Sequence, residues 1–144
     1  MLGRDAIGAL IPHQGAMCLL DRVVEWDNDH VVLATRTHRA ADNPLRLEGR
    51  LRAVHLCEYG AQAMAVHGAL RAGSRTAADG MLVAMRSVAF TRDWIQDLPS
   101  SLRVEAECLQ HDASSLQYSF RITHRDELLA EGRAAVMLQA PRTA

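Results

Sequence analysis

The feature that most constrains this chain is a change of hydrophobic period along its length. In Leu102–Leu109, Leu102, Val104, Ala106 and Cys108 alternate with Arg103, Glu105 and Glu107. In Leu116–Thr123, Leu116, Tyr118, Phe120 and Ile122 alternate with Gln117, Ser119, Arg121 and Thr123. A period of two sends alternate side chains to opposite faces, so both segments predict half-buried strands. Upstream, Leu51–Leu70 follows a helical period instead. Val54, Cys57, Ala61, Met64, Ala65 and Gly68 recur at helical spacing, with Ala or Gly at many positions between. A helix so poor in large polar residues is expected to be buried on most sides, and its small residues let a sheet come close.

The remaining elements follow from turn chemistry. Gly3–Leu10 predicts a short helix ended by Pro12. Leu19–Trp26 and Val31–Thr37 predict a hairpin, because Asp27, Asn28 and Asp29 bond their own backbone and tolerate left-handed geometry. Ala40–Gly49, with Asn43-Pro44, and Arg71–Gly80 are loops. Met81–Phe90 and Leu129–Leu138 add two strands, the latter reached by a tight turn at Arg125-Asp126. No linker or repeat divides residues 1–144, so one domain is expected. Two strands, one buried helix and four strands form a single core when a curved antiparallel sheet wraps the helix, an α+β hotdog arrangement. Such a sheet leaves edges unpaired, so a homodimer or higher oligomer is expected.

Composition excludes several functions. The formal net charge is −1, which argues against a nucleic-acid binder. No apolar run reaches the roughly 18 residues of a membrane span, and no basic-then-apolar leader opens the sequence. Cys18, Cys57 and Cys108 are odd in number and form no CxxC pair, which fits a reducing compartment. A cytoplasmic protein is expected. All 16 basic residues are Arg, whose fork suits carboxylates and phosphates, so an Arg patch for an acidic carrier protein is one reading.

Three motifs carry a resemblance. Leu10-Ile-Pro-His-Gln-Gly-Ala-Met-Cys-Leu-Leu-Asp-Arg-Val-Val24 is similar to the LPHxxPxxLxDRV opening of the hotdog 3-hydroxyacyl-[acyl carrier protein] dehydratases. Gly15 and Met17 bring it nearest to the dehydratases of aryl-polyene gene clusters. Glu58-Tyr-Gly-Ala-Gln62 resembles the ExxAQ segment on their central helix. Arg86-Ser-Val-Ala-Phe90 followed by Leu98-Pro-Ser-Ser-Leu102 is a weaker echo of a strand lining their acyl tunnel. The resemblance implies dehydration of a 3-hydroxyacyl thioester, on acyl carrier protein or coenzyme A, to the trans-2-enoyl thioester. It implies no external cofactor, since the substrate carries its own 4'-phosphopantetheine arm. It also implies that Gln62, Cys57, Val54 and Met17 line the substrate.

Glu58 is the first catalytic candidate. Burying a carboxylate is costly unless it takes up a proton or finds a donor, and a protonated carboxyl can supply what a departing hydroxide needs. Its bland alternative is a buried Glu bonded to Gln62 one turn away. His13 is the preferred base, since an imidazole with an ordinary pKa of about 6.5 can take the acidified proton beside a thioester carbonyl. Its bland alternative is a cap on the entry to the first strand. His55, three residues before Glu58, can share a helix face with it and is the other candidate. The better-known dehydratases carry their His in an HFPGxP-type loop about 14 residues before the Glu, where this chain has Pro44. His67 reads as structural, and His30, His38, His111 and His124 read as solvated turn or strand-end residues. No HxH, HExxH or Cys cluster predicts a metal site. A hotdog acyl thioesterase, or a non-catalytic hotdog subunit of a dehydratase complex, stands beside the main reading.

Overall fold

A computed structural model of the chain describes residues 2–11, 15–73 and 80–138. Its elements run α1 (Arg4–Leu10), β1 (Arg22–Trp26), β2 (His30–Thr35), α2 (Leu56–Ala72), β3 (Gly80–Phe90), β4 (Leu102–His111), β5 (Ser115–His124) and β6 (Glu127–Leu138). The strands form one antiparallel sheet in the order β1-β2-β4-β5-β6-β3, with α2 packed on its inner face. This is the hotdog architecture, and β1 and β3 are its edges.

The alternation read in the sequence sets the faces. Leu102, Val104 and Ala106 of β4 pair with His124, Ile122 and Phe120 of β5, and all six are buried. The β5–β6 turn is left-handed at both Arg125 (φ 49°) and Asp126 (φ 69°), the two-residue geometry that matches strand twist. Phe120 fills the space between helix and sheet. A Cβ on Gly60 would stand 2.8 Å from Phe120 Cδ2, and one on Gly132 would stand 2.9 Å from Phe120 Cε1. Glycine at position 60 lets α2 settle over Phe120 of β5, and glycine at position 132 leaves room for the same ring beside β6.

Several boundaries differ from the sequence expectation, each for a local reason. β1 starts at Arg22 rather than Leu19, because the Leu19 N–H donates to the Gln62 side chain instead of to a strand. β2 ends at Thr35, and Thr37 enters a 3-10 turn, Thr37–Arg39. Residues expected to open the helix do not. Leu51 bonds the loop after β3 through Ile95 N–H and Gln96 Oε1, and Ala53–His55 form a 3-10 turn before α2 begins.

The buried side of α2 also differs. Leu56, Tyr59, Gly60, Ala63, Val66 and His67 face the sheet, whereas Val54 and Ala65 are exposed and Cys57, Ala61 and Gly68 half-buried. Of the predicted stripe only Met64 is buried. Both faces are apolar, so periodicity could not choose between them; the bulkier one took the core. The small-residue face is left uncovered by the chain's own sheet among the described residues. His38 and His124 were expected in solvent and are buried instead. His38 bonds the Leu98 carbonyl through Nε2 at 2.8 Å, and His124 Nε2 accepts the Ser100 N–H at 3.1 Å.

Candidate active site

Glu58 lies in the first turn of α2, half-buried, on the face the chain's own sheet does not cover. One turn before it on that face is Val54, which is 51% exposed, and one turn after it is Gln62. Gln62 is fully buried. Its Oε1 accepts the Leu19 N–H at 2.9 Å, and its Nε2 donates to the Met17 carbonyl at 2.7 Å and lies 3.5 Å from Glu58 Oε1. Both ends of the amide are therefore engaged, and the side chain rivets the Met17–Leu19 segment to the helix beside Glu58.

That segment is fixed from its other side as well. Thr35 and Thr37 hydroxyls both donate to the Leu19 carbonyl, and Thr37 Oγ1 meets Tyr59 Oη at 2.9 Å. Asn43 Nδ2 reaches the same Tyr59 oxygen at 3.1 Å and the Thr37 carbonyl at 2.9 Å. Burial raises the Tyr59 phenol above its ordinary range, so it remains a neutral partner. Asp21 accepts from the Arg36 N–H at 2.7 Å and from Arg4 at 3.0 Å. The Leu-Leu-Asp-Arg stretch of the opening motif is thus an anchorage for main chain, not a reacting group.

The other sequence candidates fall as follows. His55 is half-buried at the start of α2, three residues before Glu58. Met17 ends a 3-10 turn, Gly15–Met17, with its side chain 39% exposed beside the Gln62 clamp. Cys57 is half-buried, and burial pushes its thiol upward, away from thiolate chemistry. His13 lies outside the described residues. His67 is buried, bonding Tyr118 Oη through Nδ1 at 2.8 Å and the Asp27 carbonyl through Nε2 at 3.0 Å, as a structural residue would. Among the described residues no group of three or more His, Cys, Asp or Glu could hold a metal ion, and no helix is long and apolar enough to cross a membrane.

Among the described residues the backbone at the helix start offers an open donor. The Ala53 and His55 N–H groups are bonded to Asp93 and Arg52 carbonyls, and that of Leu56 to carbonyls of its own 3-10 turn. The Val54 N–H has no acceptor among the described residues. It stands at a groove of about 360 Å³ lined by Val54, Phe90 and Trp94 together with Arg52, Ala53, Arg92 and Asp93. Trp94 was not singled out from sequence, although the Phe90–Trp94 spacing next to the strand motif was a signal that could have drawn attention to it.

A half-buried helix carboxylate, an amide one turn ahead with no acceptor among the described residues and a groove beside Phe90 of β3 thus lie together on a hotdog fold. The chain belongs to the ApeP-like family, described as ApeP dehydratase, which matches residues 5–143. No curated protein sequence matches it. Its fold is similar to a chain of the dehydratase heterocomplex ApeI:P from Xenorhabdus doucetiae, at TM-score 0.81 and 24% identity over 93% of this chain and 91% of that one. It is also similar to a hypothetical thioesterase with coenzyme A from Streptococcus pneumoniae TIGR4 (TM-score 0.61, 14% identity, 85% and 88% covered). A third similar fold is smu.793 from Streptococcus mutans UA159 bound to acetyl CoA (TM-score 0.62, 14% identity, 84% and 90% covered).

Proposed function

We propose that this chain dehydrates 3-hydroxyacyl thioesters, carried on an acyl carrier protein, to trans-2-enoyl thioesters in aryl-polyene-type biosynthesis. The match of the dehydratase family to residues 5–143 carries the reading, and the placement of Glu58 on the open face of α2 agrees with it. In this mechanism the Val54 N–H polarises the thioester carbonyl, and the positive end of the α2 dipole supports the charge that develops there. A histidine, His13 in preference to His55, takes the C2 proton. Glu58 protonates the departing 3-hydroxyl, and water leaves. The acyl chain runs along the small-residue face of α2, past Val54, Cys57 and Met17. No cofactor takes part, since the pantetheine arm arrives with the substrate.

The same open face and the edge β3 call for a second hotdog subunit, which would complete the groove. A second copy of this chain is the simplest occupant. The likeness to a chain of the ApeI:P heterocomplex favours a second reading, in which the neighbour is a different hotdog subunit. Incubating the purified chain with 3-hydroxyacyl and with saturated acyl carriers, and weighing the products, tests the proposal. Loss of water from the hydroxyacyl carrier supports it. Hydrolysis of either thioester points to a thioesterase. No change alone, with dehydration restored by a co-expressed hotdog partner, points to a subunit role.

A further inference from the structure

Five polar side chains gather around the backbone of Leu19. Thr35, Asn43, Tyr59 and Gln62 are buried and Thr37 is half-buried, in a place where apolar groups would fill the same space. A phenylalanine ring would pack as well as that of Tyr59, so the hydroxyl adds hydrogen bonds of fixed direction rather than volume.

The donor count assigns that direction. Asn43 Oδ1 accepts the Leu45 N–H at 2.9 Å, so Nδ2 is the end that meets the Thr37 carbonyl at 2.9 Å and Tyr59 Oη at 3.1 Å. An amide nitrogen only donates. The Tyr59 O–H is therefore left with one acceptor among the described residues, Thr37 Oγ1 at 2.9 Å. Thr37 passes its own O–H to the Leu19 carbonyl at 2.6 Å, and the Thr35 hydroxyl goes to the same carbonyl. At the other end of Leu19 the N–H must donate, which makes Gln62 Oε1 its partner at 2.9 Å. Gln62 Nε2 carries two hydrogens. One goes to the Met17 carbonyl at 2.7 Å, and the second is left for Glu58 Oε1, which stands 3.5 Å away. The bonds thus run one way, from Asn43 through Tyr59, Thr37, Leu19 and Gln62, and leave the group at the Glu58 carboxyl. Resonance keeps the Gln62 amide flat and stiff, so a shift of Leu19 against Oε1 also swings the N–H that faces Glu58.

We propose that Tyr59 and Thr37 are positioning residues for the dehydration, acting through Leu19 and Gln62 to hold an amide N–H on Glu58 and so set where its carboxyl stands. The inference rests on the dehydratase reading above and extends the machinery of that site to the sheet side of α2, where Tyr59 points.

Thr37→Val keeps the shape of the side chain and deletes its hydroxyl, while Thr35 still serves the Leu19 carbonyl. In the assembled protein, dehydration of a 3-hydroxyacyl carrier should lose about tenfold in kcat with KM little changed, as a displaced reacting group does. Thr37→Ser restores the hydroxyl and should return to within about twofold of wild type. In a Glu58→Gln background Thr37→Val should cost nothing further, because the group it positions is gone. An equal loss in both backgrounds, a loss confined to KM, or no rescue by serine overturns the proposal. If Thr37→Val folds poorly, Tyr59→Phe, which keeps the ring and removes the O–H, carries the same expectations. A second readout needs neither turnover nor a variant at Thr37. In an NMR pH series the Gln62 side-chain N–H signals of the wild type should follow the ionisation of Glu58, a response that Glu58→Gln abolishes. Gln62 signals that ignore Glu58 overturn the proposal. A protein whose Gln62 signals behave as expected yet dehydrates nothing refutes the dehydratase reading and leaves the positioning of Glu58 standing.

Discussion

Replacing Gln62 by Leu isolates the clamp on which the site's geometry depends. The substitution nearly preserves volume, so little cavity forms, but the Leu19 N–H and the Met17 carbonyl lose partners at 2.9 Å and 2.7 Å. Gln62 is fully buried, so water does not replace them without rearrangement. An unsatisfied buried donor or acceptor costs about 1–3 kcal/mol, which puts the pair at about 2–6 kcal/mol, a large share of the roughly 5–15 kcal/mol typical of whole domains. With an m value of about 2 kcal/mol/M, a loss near 3 kcal/mol lowers the urea midpoint by about 1.5 M at fixed protein concentration. Amide exchange at Leu19 should rise with it. Gln62→Glu is the control. A protonated carboxyl offers the same donor and acceptor, so this variant should draw closer to wild type than Gln62→Leu does as pH falls. A Gln62→Leu midpoint within about 0.5 kcal/mol of wild type, with Leu19 still protected, would refute the clamp.

Other outcomes follow from the same geometry. Gly60→Ala puts a methyl 2.8 Å from the Phe120 ring and should cost about 1–3 kcal/mol; Phe120→Leu in the same chain should recover part of it, as a double-mutant cycle in urea would show. Burial lowers His38, His67 and His124 below the ordinary histidine value. The unfolded chain then binds protons first, so melting temperature should hold above about pH 6.5 and fall progressively below it. His30 is raised by its bond to Asp27 and opposes this, but it is one exposed pair against two fully buried rings. Light scattering of the purified chain should give a mass above the 15.9 kDa of one copy, because among the described residues the outer edge of β3 has no strand partner and the small-residue face of α2 is uncovered; a stable monomer at micromolar concentration would count against self-assembly.

The strands were legible because Leu102–Leu109 and Leu116–Thr123 alternate cleanly, and a half-buried sheet tolerates only that period. The helix was legible as an element but not in its orientation. Leu56, Tyr59, Ala63 and Val66 form one apolar face, Val54, Cys57, Ala61 and Ala65 another, and only packing against β4 and β5 distinguishes them. Ends of elements escaped wherever a side chain replaced a backbone partner, as Gln62 does for Leu19. Glu58 was singled out through its motif and its neighbours, but it sits half-buried on the open face of α2 rather than in the core. The polar group around Leu19 was not legible, because Thr37 and Gln62 reach it from 18 and 43 residues away. Buried His38 and His124 were missed for the same reason: their partners, Leu98 and Ser100, lie far away in sequence.

The claim at the centre is that Glu58 takes part in dehydration. The direct measurement is turnover of a 3-hydroxyacyl carrier substrate by wild type and by Glu58→Gln in the same assembled state. Gln keeps the shape and hydrogen-bonding reach of Glu but cannot donate an acidic proton, so activity should drop by orders of magnitude, about 10²–10⁴-fold, with melting temperature little changed. Near-normal formation of the enoyl thioester by Glu58→Gln would contradict the mechanism while leaving the fold and family untouched.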